Sequence, residues 1–133
     1  MILARRLATK TDAARKWAIA AARLAHERNC EDIVVLDLRG VSPVTDYFVI
    51  ATGTSDRQLR SVADDLCQEG KAADYRAWHV EGAEVGDWIV LDFIDVVVHL
   101  FDKPSRRHYD LELIWGEAPR VTWRRRRAPA KES

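Results

Sequence analysis

The chain has 133 residues, 47% of them hydrophobic and 32% charged, with only six Gly and four Pro. That length holds one domain with an ordinary core, and the composition excludes disordered, collagen-like and low-complexity classes. The 21 basic and 21 acidic residues cancel overall but not locally.

Residues 1–29 carry seven basic and two acidic groups, residues 30–119 eight and eighteen, and residues 120–133 six and one. An acidic body calls for a basic partner, and only the two basic ends are suited to nucleic acid. No apolar run approaches the roughly 20 residues that span a bilayer, so no membrane contact is expected. The basic first ten residues do not read as a secretory segment. Cys30 and Cys67 cannot make a disulfide framework, and no zinc-ligand spacing is present. A reduced, cytoplasmic protein without metal or cofactor is expected.

In chain order, Thr9 to Asp12 offers helix-start chemistry, because side-chain oxygens accept from first-turn amides. Ala14, Trp17, Ala18, Ala21 and Ala25 then recur at three- and four-residue steps, one apolar face of a helix stopping near Asn29. Ile33–Leu38 and Tyr47–Thr52 read as strands, the second apolar on both faces and therefore central. Ser55 and Gln58 fit a capping box for a helix with Leu59, Val62, Ala63, Leu66 and Cys67 on one face, ending at Gly70. Asp74–Val80 is a third strand. Trp88–Phe93 and Val96–Phe101 form a hairpin with a short connection at Ile94 and Asp95.

Ser105–Trp115 is a short helix candidate with Pro104 near its start, and Leu111 and Trp115, four apart, share a face. Beyond Trp123 the run Arg124–Arg127 has no means of packing, so the expected domain is 1–119 and 120–133 a basic, disordered tail. The sum is an α+β, α/β-like fold with a mixed sheet of about five strands and flanking helices. The second strand, its helix and the third strand are expected to make a right-handed parallel crossover.

Chemistry is sparse. Gly53-Thr54-Ser55, at a strand-to-helix junction, is the one place resembling a phosphate cradle. It lacks the Walker lysine and any GxGxxG, so a turn plus a helix cap is the favoured reading. Asp92 and Asp95 could be a metal-binding pair for nucleotidyl or phosphoryl transfer, but residues three apart on a strand face opposite ways unless a turn intervenes. Among four histidines, His99 sits within a strand and reads as a hydrogen-bonded structural residue. Trp88, Tyr109, Trp115 and Trp123 cluster in the C-terminal third. Aromatic anchors ringed by charge have the composition of a protein-interface hot spot, and equally of a helix docked on its own sheet.

The segment from Val41 to Gln58 resembles the TDYFVI-x-TG-x-S-x-RQ signature of the ribosomal silencing factors, the RsfS or Iojap family. Asp46, Tyr47, Gly53, Ser55, Arg57 and Gln58 are its motif positions in this chain. Glu81-Gly82, Trp88–Asp92 and Asp95–Phe101 are similar to the family's second block, which adds Asp92 and His99. Arg107, Tyr109, Leu111, Glu112 and Trp115 match its closing pattern, so the resemblance runs from about residue 10 to 118.

The resemblance implies a non-enzymatic translation regulator whose fold is distantly like nucleotidyltransferases without their catalytic acids. It implies binding to the large ribosomal subunit through that subunit's ribosomal protein number fourteen, a basic protein, with exclusion of the small subunit. Homodimers are also implied. Trp88, Tyr109, Leu111, Glu112 and Trp115 are the partner-facing residues it implies. Two positions depart from the family: Ile94 stands where a small residue, often Gly, is usual, and His108 where an aromatic or large apolar residue is common. A turn with positive φ at residue 94 would disfavour a β-branched side chain. The other readings are a nucleotidyltransferase-like enzyme using Asp92, Asp95 and the Gly53–Ser55 turn, and a nucleic-acid binder using the basic termini, with ribosomal RNA as the tail's target.

Overall fold

The computed structural model describes residues 2–111 and 115–125, with side chains from residue 12 onward. The elements are α1 (Ile2–Glu27), β1 (Glu31–Asp37), β2 (Tyr47–Thr52), α2 (Asp56–Ala72), β3 (His79–Glu81), β4 (Trp88–Asp92), β5 (Val96–Phe101) and α3 (Lys103–His108). The strands form one sheet in the order β1-β2-β5-β4-β3. Only β2 and β5 run parallel; β1–β2, β4–β5 and β3–β4 are antiparallel. The mixed five-stranded α+β fold is therefore as expected.

The pairing partner of β2 is not. β5 takes the place beside β2 that the expected crossover assigned to β3, and β3 lies at the far edge. β3 is also shorter than Asp74–Val80, because only three residues pair with β4. Its three residues are all exposed, so burial gives no reason to extend the pairing.

α1 begins at Ile2 instead of at Thr9–Asp12. Residues 2–8 are rich in Leu, Ala and Arg, which favour helix, and contain no Gly or Pro to stop it. The helix closes at Asn29, whose φ of 69° lets the chain turn away. Ala14, Ala18, Ala21, Ala22 and Ala25 are all fully buried, so α1 lies close against the sheet. Trp17 fills the space beyond them, edge-on to Phe93 at 5.1 Å between ring centroids.

α2 starts as its capping box predicts: Ser55 Oγ accepts from the Gln58 amide at 3.0 Å. It does not end at Gly70, however, but runs on to Ala72. Gly70 is a packing glycine. A Cβ there would lie 2.4 Å from the Tyr75 carbonyl oxygen and 2.8 Å from Phe93, so the helix could not seat with any larger residue.

The strands alternate between the two faces of the sheet. Tyr47, Val49, Ala51, Ile89, Leu91, Val96, Val98 and Leu100 point to α1 and α2. Val34, Leu36, Ile50 and Phe101 point the other way, where Leu111, Trp115 and Ala118 cover them in part. Each fully buried Val, Leu or Ile contributes roughly 1.5–3 kcal/mol, so both faces have to be covered.

Two C-terminal expectations are corrected. The helix expected over Ser105–Trp115 is cut short at His108 by Tyr109, whose ψ of 63° is not helical; residues 112–114 of that range lie outside the described residues. The packed domain also continues past residue 119. Arg120 bridges to Leu36, the Val121 amide donates to the Val35 carbonyl, and Val121 and Trp123 are buried in the main core. The apolar pair Val121 and Trp123, alternating with polar neighbours, makes this segment an edge addition to β1. Arg126 and Arg127 lie outside the described residues.

Ile94 has a φ of 74° in the β4–β5 turn and is exposed. A left-handed β-branched residue stores about 1–3 kcal/mol, of which glycine's greater unfolded-state entropy would return only part. Ile94→Gly should therefore raise stability by about 1 kcal/mol, read as a higher urea midpoint with an unchanged slope. Trp123→Ala should cost about 3 kcal/mol, whereas Thr122→Ala, at the exposed position beside it, should leave thermal unfolding within a degree or two.

Candidate partner-docking face

The face of the sheet away from α1 and α2 carries a strip of rings. Phe48 on β2 meets Trp115 edge-on at 6.0 Å and His99 on β5 at 4.6 Å. His99 leads to Trp88 on β4, whose ring lies 5.0 Å from Phe101 and 4.7 Å from Tyr109. Phe48, Trp88, Val90 and Val97 are only half-buried, and Tyr109 is 44% exposed. Helices cover one face; this one is left partly open.

Trp88 is held from several sides. Its Nε1 donates to His99 Nδ1 at 3.1 Å, which places the imidazole proton on Nε2. That Nε2 is buried with no hydrogen-bond partner among the described residues. Burial pushes the His99 pKa down to about 4, so the ring stays neutral, as its acceptor role requires. The loop leading into Trp88 is clamped by Arg60 of α2, whose Nε donates to the Ala83 carbonyl and whose Nη2 donates to the Glu84 carbonyl, both at 2.7 Å. α3, which delivers Tyr109, is capped by Asp102 accepting from the Ser105 amide. It is tied down by Arg106 Nη1, which donates to Thr52 Oγ1 at 2.8 Å and to the Asp32 carbonyl.

Charged groups of both signs border the strip, with Arg107 and His108 beside Tyr109 and carboxylates on the β3–β4 side. Asp92 shares its face and Oδ1 accepts from the Ile94 amide at 2.7 Å, while Glu81 stands opposite Val90 and pairs with His79 at 2.7 Å. Asp87 and Asp110 adjoin Trp88 and Tyr109 in sequence. Of the implied partner-facing residues, the structure brings Trp88, Tyr109, Leu111 and Trp115 to one face; Glu112 lies outside the described residues. Trp88, Leu111 and Trp115 are all half-buried against the sheet, and Tyr109 is the most exposed of the four.

The remaining motif positions shape the sheet and its connections. Asp46 is half-buried, and its amide donates to the Asp95 carbonyl. Tyr47 is fully buried on the helix side with the Arg39 guanidinium 5.6 Å over its ring. Gly53 has no room for a side chain, since a Cβ would sit 2.4 Å from Leu59. Gln58 Oε1 accepts from the Thr54 amide at 2.6 Å and its Nε2 donates to the Arg28 carbonyl, linking the end of α1 to the start of α2. Arg57 is exposed.

That geometry separates the parts of the enzyme reading. Asp95 adjoins Tyr47 and Val96 at the start of the parallel pair, whereas Gly53 adjoins Phe101 at its end. Six paired positions of strand, roughly 20 Å, lie between the acids and the turn. Within the turn the Gly53 amide donates to the Phe101 carbonyl and the Thr54 amide to Gln58 Oε1, and the Gln58 amide is taken by Ser55 Oγ, which leaves little of a phosphate cradle. No group of three His, Cys, Asp or Glu among the described residues could hold a metal ion.

Sequence reasoning passed over Phe48, Arg60 and Arg106. Phe48 was legible from the period-two alternation around Tyr47, but nothing in the sequence marks an arginine as a loop clamp.

A mixed sheet with helices on one face and an aromatic strip on the other defines a small α+β domain with a surface suited to docking. The model of the family described as "Ribosomal silencing factor during starvation" matches residues 11–133, well past residue 118 where the resemblance was seen to end. A Bacillus subtilis ribosomal silencing factor is 38% identical over 99 residues, 74% of this chain and 84% of that protein. A mouse protein, "Mitochondrial assembly of ribosomal large subunit protein 1", is 35% identical over 95 residues, covering 69% of this chain and 42% of its own. A crystal structure of a Chromobacterium violaceum protein superposes with a TM-score of 0.70 at 33% identity, covering 77% of this chain and 83% of that one. The chain belongs to the ribosomal silencing factor family.

The buried neutral His99 gives the fold a pH dependence. Between the unfolded value near 6.5 and the native value near 4, the unfolded chain takes up a proton that the native one refuses. The stability contribution is full above pH 6.5 and is lost as pH falls towards 4, by about 3 kcal/mol in all. His99→Gln, which keeps an acceptor for Trp88, should flatten denaturation midpoints over that range relative to wild type; parallel curves would assign the effect to other groups.

Proposed function

We propose that this protein represses translation by binding the large ribosomal subunit and keeping the small subunit from joining it. Its contact is a basic protein of that subunit, ribosomal protein number fourteen, and its docking face is the ring strip around Trp88 and Tyr109. The observation that carries this reading is the half-open aromatic face with carboxylates along its β3–β4 side. Aromatic groups that lose water on docking supply most of an interface's affinity. The carboxylates would raise the encounter rate with a basic surface and fix register. Membership of the silencing-factor family and the large-subunit name of the mouse relative point the same way. No bond need be made or broken: a domain seated on the joining surface excludes the other subunit by its volume.

The test is sedimentation with isolated large subunits, together with light-scattering measurement of subunit reassociation. The protein should pellet with large subunits and lower reassociation; unchanged reassociation at saturating protein would overturn the reading. Tyr109→Ala, an exposed position whose loss spares the core, should weaken binding by about 2 kcal/mol, or roughly 30-fold. Trp88→Ala should weaken it at least as much, and wild-type affinity in both variants would move the interface elsewhere.

A further inference from the structure

The two basic ends of the chain, separate in sequence, meet in the fold. After Pro119 the chain runs along β1, and Trp123 then anchors it: Nε1 donates to the Ile33 carbonyl at 3.1 Å and its ring packs on His26 of α1 at 5.4 Å. The Trp123 carbonyl accepts from Arg23 Nε at 2.8 Å, joining residues 100 apart. This sets the exposed Arg124 and Arg125 beside the outer stripe of α1. Arg125, Lys16 and Arg23 line a cleft of about 480 Å³, with Glu27 and Glu69 as the acids on its wall. Arg124 joins Arg125 and Arg23 around an adjoining cleft of about 360 Å³.

Four cations against two carboxylates make a net positive face on a chain whose body is acidic, and Arg126 and Arg127 continue the run in sequence. Arg28 does not add to it, being paired with Asp65 at 2.9 Å. The face sits at the β1 edge on the helix side of the sheet. The ring strip lies on the other side and reaches across to β4. They are separate surfaces.

We propose that this composite face, built from α1 and the C-terminal segment, binds the phosphate backbone of RNA. Arginine's planar fork suits phosphate oxygens, and closely spaced guanidinium groups match a polyanion better than the scattered carboxylates of a protein surface. Trp17 and Trp123, the tryptophans lining the two clefts, are both buried, and His26 packs on Trp123, so neither indole offers a platform on which a base could stack. Contact is therefore with phosphates and is indifferent to sequence. The Trp123 anchor gives the arginines a fixed place next to Lys16 and Arg23, so phosphates contact both chain ends at once.

The test is fluorescence anisotropy of the full chain with two labelled RNA hairpins of unrelated sequence, from 50 to 200 mM salt. Both hairpins should bind equally, and neutralising about four phosphates should weaken binding on the order of 100-fold across that range. Lys16→Glu and Arg125→Glu, both at exposed positions, should each lower affinity and reduce the salt slope by about one. Trp88→Ala should leave hairpin binding unchanged. Absence of binding, preference for one hairpin, or displacement by polyglutamate as effective as by unlabelled RNA would each overturn the proposal. Binding insensitive to Lys16→Glu would overturn the composite face. Large-subunit pelleting of Tyr109→Ala reads the docking face independently, so failure of one proposal is not failure of the other.

Discussion

The parallel pairing of β2 with β5 is the constraint on which the rest of the structure hangs. Six residues match six, from Tyr47 with Val96 to Thr52 with Phe101. Parallel strands cannot be joined by a tight turn, so α2, β3 and β4 all lie in the connection, and the β4–β5 hairpin returns the chain into the middle of the sheet. The register is secured at both ends: the Asp46 and Tyr47 amides donate to the Asp95 carbonyl, and the Gly53 amide to the Phe101 carbonyl. Since side chains alternate, a slip of one residue in β5 would put Val98 on the ring-strip face and His99 under the helices. The aromatic strip and the helical core are two consequences of one register.

The same arrangement sorts charge and apolarity onto different surfaces. α1 and α2 close one face with alanines and leucines, while among the described residues Leu111, Trp115 and Ala118 cover the opposite face in part, leaving Phe48, Trp88 and Tyr109 partly open. Asp92 and Glu81 stand at the β4–β3 side of that opening, and Arg107 and His108 beside Tyr109. The cations of the two termini collect at the β1 edge instead, because Trp123 returns the C-terminal segment to the side of α1. A net charge of zero is thus the sum of unlike surfaces: an aromatic face bordered by both signs of charge, and a basic edge.

Much of the fold was legible where a local pattern has a physical cause. The alanine stripe of α1, the apolar runs of β2 and β5 and the Ser55–Gln58 cap each depend on neighbours within one turn or strand. The failures are equally specific. Gly70 looked like a helix terminus because glycine is common there, yet its role is to admit Tyr75 from the turn just past the helix and Phe93 and Trp17 from other elements. Val121 and Trp123 looked like part of a charged tail, since only contact with β1 and α1 makes them core. Of the site, Trp88 and Tyr109 were marked by resemblance and by aromatic composition. Arg60 and Arg106, which hold the segments bearing them, were invisible, because a side-chain clamp on a distant carbonyl leaves no periodic trace.

By itself the sequence determined the helices and strands, the family, the partition of charge along the chain and the suspicion attached to Ile94. These follow from backbone preference, hydrophobic period and composition, all of which act over short distances. Tertiary structure alone decided which strand lies beside β2, which face keeps its rings exposed, how far the Gly53 turn lies from Asp92 and Asp95, and that the two basic ends form one surface. Those outcomes depend on which chain segments lower the free energy most by burying apolar area together. That is a property of pairs of segments, up to 100 residues apart in the case of Arg23 and Trp123.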